Sequence, residues 1–73
     1  MEKLYELLEN CCPNVDFRKE KALITDKIID SMDLMSIISD IEDGFDISIE
    51  MDKIEAANFD SAEAIWNLVE SLR

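Results

Sequence analysis

Apolar positions along this chain recur at helical spacing in some stretches and lose any period in others. Leu4, Leu7, Leu8 and Cys11 fall at i, i+3, i+4 and i+7, the spacing of one face of a helix. That helix must stop near Cys12, because Pro13 disfavours helical backbone in the residue before it. The following "PNVDFRKEKALITDKII" holds no sustained period. It reads as a long connection in which Val15, Phe17, Leu23, Ile24, Ile28 and Ile29 pin the loop to the core. Loops of this length are unusual in small domains and often functional.

A second helix is predicted from about Met32 to Gly44. At about 100° per residue, Leu34, Ile37, Ile38 and Ile41, followed by Phe45, gather on one side as a core stripe. Met32, Ser36, Ser39 and Asp43 project the other way, flanked by Asp33 and Asp40, with Met35 on the boundary. "FDISIEMD" alternates Phe45, Ile47, Ile49 and Met51, but one strand cannot make a sheet, so a loop docking these residues on the core is expected. A short helix fits Met51 to Ala57, with "NFD" as its breaker. Asp60 then resembles an N-cap with Glu63 at N3, and Ala62, Ile65, Trp66, Val69 and Leu72 form the last apolar face. The sum is an all-α fold, a small four-helix bundle with three longer helices and a short third one, in a single domain over 1–73.

Hydrophobic residues make up 48% of the chain, enough for a compact core and too many for a disordered acidic tail. Yet 73 residues bury only about 60% of the surface of the unfolded chain, so a deep, walled active site is not expected. Seven basic residues against eighteen acidic ones give a formal charge of −11. Such a surface repels phosphate backbones and anionic headgroups, which argues against nucleic acid and membrane and for a basic protein partner. No run approaches the roughly 18 apolar residues that span a bilayer, and the N-terminus is acidic rather than a basic stretch before an apolar core. A cytoplasmic location is expected.

Catalysis and metal binding both lack their residues. Adjacent Cys11 and Cys12 rarely meet disulfide geometry and read as small apolar residues at a helix end, with a redox pair as the alternative. An EF-hand register starting at Ser39 places Gly44 and Glu50 correctly but puts Ile41, a core residue, at position 3, so no dedicated metal site is expected. Ser31 lies in "IIDSMDLM", and the chain contains no histidine to activate it as a nucleophile. Taken alone, it is an ordinary helix cap.

Its setting adds more. Asp30-Ser31-Met32 opens a helix with an acidic outward face near the middle of a small acidic helical chain. This resembles the acyl carrier protein family, including peptidyl and D-alanyl carriers, whose signature is Asp-Ser-Leu at the start of the second helix. "ISDIEDGFDISIE" resembles the family's helix-two ending, and "NFDSAEAIWNLV" its entry into helix four. The resemblance covers essentially the whole chain and is weakest over residues 13 to 27.

The resemblance implies a right-handed four-helix bundle with 4′-phosphopantetheine, taken from coenzyme A, on Ser31. A separate phosphopantetheinyl transferase would supply the Mg²⁺ and the base that this chain lacks. The arm's thiol would hold an acyl or aminoacyl cargo as a thioester, so the protein itself is a carrier and not an enzyme. Asp30, Met32, Asp33, Met35, Glu42 and Asp43 would face a loading enzyme and a downstream synthase or transferase with basic docking surfaces. A monomer is expected.

The chain also departs from the family's pattern. Met32 replaces the usual Leu, Ser36 and Ser39 stand where many fatty-acid carriers have an acidic and a larger apolar residue, Lys27 stands where Gly is frequent, and "IEMD" lacks a Pro often found before helix three. "IIDSM" and "NFDS" look closer to D-alanyl and peptidyl carriers than to those of fatty acid synthesis. The competing reading is a carrier-like adaptor that uses its acidic face without an arm.

Overall fold

A computed structural model describes residues 2–73. Helix α1 runs Glu2–Cys11, α2 Ser31–Phe45, α3 Ala56–Phe59 and α4 Ala62–Leu72, with a 3₁₀ turn at Met51–Lys53. Among the described residues there is no strand, and the arrangement is the small four-helix bundle expected, with its third helix short. Helix α1 packs on α2 and on α4, while α3 packs on α4.

The predicted stripes build the core. Leu4 and Leu8 of α1, Ile37, Ile38 and Ile41 of α2, and Ala62, Ile65, Leu68 and Val69 of α4 are buried together. Leu34 and Phe45 at the two ends of the α2 stripe are partly buried against them. Gly44 allows a close approach between α1 and α2, since a Cβ there would lie 2.8 Å from Leu7 Cδ1. Phe45 and Trp66 tie α2 to α4 edge to face, with ring centroids 5.9 Å apart.

The long connection between α1 and α2 is anchored as its apolar residues suggest. Phe17, Leu23 and Ile29 are buried in the core, and Val15, Ile24 and Ile28 pack against it. Polar contacts fix the same loop: Arg18 pairs with Glu2 at 3.1 Å and lies over the Tyr5 ring at 4.0 Å. At its far end the Leu23 N–H donates to the Asp60 carbonyl at 2.8 Å.

Three local expectations are corrected. Ser61, not Asp60, caps α4: its hydroxyl accepts from the Ala64 N–H at 3.1 Å. The stretch from Met51 divides into a 3₁₀ turn and the separate α3, and "NFD" does not break it, since Asn58 and Phe59 lie inside α3. Burial explains that outcome, because Phe59 is fully buried and holds the short helix against α4. Met51 does not dock on the core and is 88% exposed, whereas Ile49 is buried and Ile47 half-buried. The alternation fails there because the chain has already entered the 3₁₀ turn at Met51.

Candidate functional site

The start of α2 is set by Asp30. Its backbone is extended, with φ −96° and ψ −177°, and its Oδ1 accepts from the Asp33 N–H at 2.8 Å. The Asp33 carboxylate reaches back to the Asp30 N–H at 3.5 Å, completing a capping box built from two aspartates. Ser31 is therefore the first residue of the helix and not its cap, which corrects the simplest reading of that serine. Its side chain is exposed, and among the described residues no hydrogen bond engages its hydroxyl. Both aspartates also place negative charge at the positive end of the helix dipole.

Beside Ser31 opens a groove of about 340 Å³ lined by Ile24, Lys27, Ile29, Asp30, Ser31 and Leu34. Its far wall comes from the turn before α2. There the Ile28 N–H donates to the Leu23 carbonyl at 2.9 Å and the Lys27 N–H to the Ile24 carbonyl at 3.0 Å. This is the Schellman pattern that ends a helical turn, and its closing residue takes left-handed backbone. Lys27 is that residue, with φ 57°. Sequence reasoning registered Lys27 only as a departure from a frequent glycine; the left-handed backbone is the physical reason glycine suits this position.

The turn is held in place from α4's end of the molecule. Asp60 Oδ1 accepts from the N–H groups of Ile24 and Thr25, both at 2.9 Å, and Oδ2 from the Thr25 hydroxyl at 2.8 Å. These hydrogen bonds, those of Thr25 foremost, hold the Asp60 carboxyl below the usual carboxylate range. Asp60 thus positions the groove wall. Sequence reasoning missed this role, because an aspartate just before a helix already has a sufficient local explanation.

The other residues expected at the site lie on α2 and its cap, some exposed and some engaged with the chain. Asp30 and Asp43 are exposed, Met32 is 79% exposed and Met35 59% exposed. Asp33 is half-buried and engaged in the capping box. Glu42 is also half-buried, and its carboxylate turns back on the chain to accept from the Ile49 N–H at 2.8 Å. The helix contains no Lys or Arg. Its surface is therefore two large apolar side chains set among acids, with Ser31 at one end.

Near the same end of α2 lies the cysteine pair. Cys12 is buried and Cys11 half-buried, both are free thiols, and their sulfurs are 3.6 Å apart. Burial, followed by the adjacent Cys11, pushes the Cys12 thiol up to about 12. Among the described residues no group of three or more metal-ligating side chains gathers, and no helix is long and apolar enough to cross a membrane.

The chain is similar to a probable acyl carrier protein of Caulobacter vibrioides (strain NA1000 / CB15N), with 39% identity over 59 residues. The match covers 81% of this chain and 66% of that relative, a little under two thirds of its length. No family model matches the chain. No solved structure matches it either.

Proposed function

Because this chain belongs to the acyl carrier protein family, we propose that it is a non-catalytic carrier that holds an acyl or aminoacyl group on 4′-phosphopantetheine attached to Ser31. One observation carries the reading: Ser31 stands exposed at the first position of α2 with its hydroxyl unengaged, because the neighbouring Asp30 supplies the cap.

The residues present fit the group. An acceptor serine needs an accessible hydroxyl, which Ser31 has, and room beside it for the attached chain, which the groove supplies. It also favours a location that tolerates a phosphodiester anion, and the first turn of a fifteen-residue helix offers unpaired N–H groups and a partial positive charge. When bound, the group supplies a terminal thiol to which cargo is esterified.

This chain's own residues do the rest without chemistry. Asp30 and Asp33 fix the helix start and hence the direction in which the Ser31 hydroxyl projects. The chain lacks histidine, so the base that deprotonates the hydroxyl belongs to the transferase, together with Mg²⁺. Met32 and Met35 offer apolar contact, and Asp43 with its acidic neighbours steers a basic partner surface onto α2. The partners are a phosphopantetheinyl transferase, a loading enzyme and a downstream synthase or transferase in the cytoplasm. "IIDSM" and "NFDS" favour an aminoacyl or specialised acyl cargo over the growing chain of fatty acid or polyketide synthesis.

Intact mass spectrometry after incubation with coenzyme A, Mg²⁺ and a broad-range transferase tests the proposal. The expected result is a gain of one phosphopantetheinyl group by the wild type and none by Ser31→Ala. An unmodified wild type with several transferases would instead favour an acidic adaptor that works through the α2 face alone.

A further inference from the structure

Three features of the groove beside Ser31 have no role in the carrier reading as stated. Its wall is largely apolar, formed by Ile24, Ile29 and Leu34. The single cation among its lining residues is Lys27, which makes no ion pair among the described residues. And Lys27 holds the left-handed backbone of a Schellman turn, φ 57°, where a side chain is strained and glycine is not. In a chain with only seven basic residues, one of them occupies a strained position beside the serine.

We infer that this groove seats the first segment of the phosphopantetheine arm, with Lys27 as counter-charge to its phosphodiester and Ile24, Ile29 and Leu34 as the contact for its dimethyl-substituted carbon. The chemistry of the arm matches the order of the wall. Next to the serine oxygen comes a phosphate with one negative charge, and one methylene further comes a quaternary carbon bearing two methyl groups. Asp30 lines the same groove, its Oδ1 accepting from the Asp33 N–H, and among the described residues no ion pair joins it to Lys27. The Asp60 hydrogen bonds to Ile24 and Thr25 fix the wall that carries both the cation and part of the apolar surface. The base of the arm is thereby held against the protein while its distal portion stays free to reach partners. The inference rests on the carrier reading and deepens it.

The test uses the arm-bearing protein, prepared with isotopically labelled protein and an unlabelled arm, with loading verified by intact mass. Isotope-filtered NOE spectra should connect the arm's two methyl groups to the methyl groups of Ile24, Ile29 and Leu34. The ³¹P resonance should differ from that of a phosphopantetheinylated peptide, return towards it in Lys27→Gln and stay shifted in Lys27→Arg. Loaded wild type that shows no such NOEs, with a ³¹P resonance indifferent to Lys27→Gln, overturns this inference and leaves the carrier reading intact. A wild type that never gains the arm's mass overturns both.

Discussion

The Asp60 carboxylate accepts the Thr25 hydroxyl at 2.8 Å across thirty-five residues of sequence, and so joins the entrance of α4 to the turn that walls the Ser31 groove. This contact is polar, partly exposed and dependent on charge, unlike the burial of Phe17, Leu23 and Ile29 that holds the same loop to the core.

Its pH dependence follows in sign. The Asp60 pKa is lowered in the folded state, chiefly by the Thr25 N–H and hydroxyl, so its stabilisation is complete above the unfolded carboxylate value and is lost as pH falls through the folded value. Asp60→Ala should melt several degrees below wild type at neutral pH, and the gap should close in acid. Circular dichroism melts of both proteins across that range check this. An undiminished gap in acid would place the Asp60 contribution elsewhere.

Capping and the proposed acceptance are separable by substitution. Asp30→Ala removes the acceptor for the Asp33 N–H and should cost about 1 kcal/mol, the usual value for a lost N-cap, or roughly 4–8 °C in a domain of this size. Ser31→Ala removes an unengaged exposed hydroxyl and should stay within about 0.5 kcal/mol of wild type. Urea denaturation of the two variants measures the difference directly.

Phe59 is the clearest core dependency. It is fully buried on a four-residue helix that has little stability of its own. Phe59→Ala should cost about 3–5 kcal/mol, comparable with the entire stability of a small domain, and leave much of the chain unfolded at ambient temperature. The amide NMR spectrum would collapse towards random-coil shifts. A well-dispersed spectrum would show that α3 is dispensable.

Cysteine reactivity should be unequal. With Cys12 buried and its thiol at about 12, only about one part in ten thousand is thiolate at pH 8. Iodoacetamide should therefore label the native protein once, at Cys11, and twice after denaturation. Peptide mapping distinguishes the sites, and prompt native labelling of Cys12 would contradict its burial.

The three longer helices were legible because burial on one face imposes a period that needs no tertiary knowledge. Leu4 and Leu8, Ile37, Ile38 and Ile41, and Ile65 and Val69 all sit where that period puts them. The segments between were less legible because their residues answer to distant partners. Asp60 and Ser61 are both good caps, and only the unpaired N–H groups of Ile24 and Thr25 decide that Asp60 is drawn away and Ser61 takes the helix. Likewise, the alternation through Met51 is broken by a 3₁₀ turn that no local pattern announces. Of the site, Ser31 and the acidic, methionine-bearing face were legible, whereas the groove was not, since its walls meet only when the Lys27 turn folds against α2.

The division between Asp30 as cap and Ser31 as the proposed acceptor has a consequence for the protein in competition. The Ser31→Ala chain should keep the capping box, the bundle and the methionine-and-aspartate face of α2, and, on the proposed function, lose only the point of attachment. If the proposed partners dock on α2, that variant supplied in excess should act as a folded decoy, occupying them while delivering nothing.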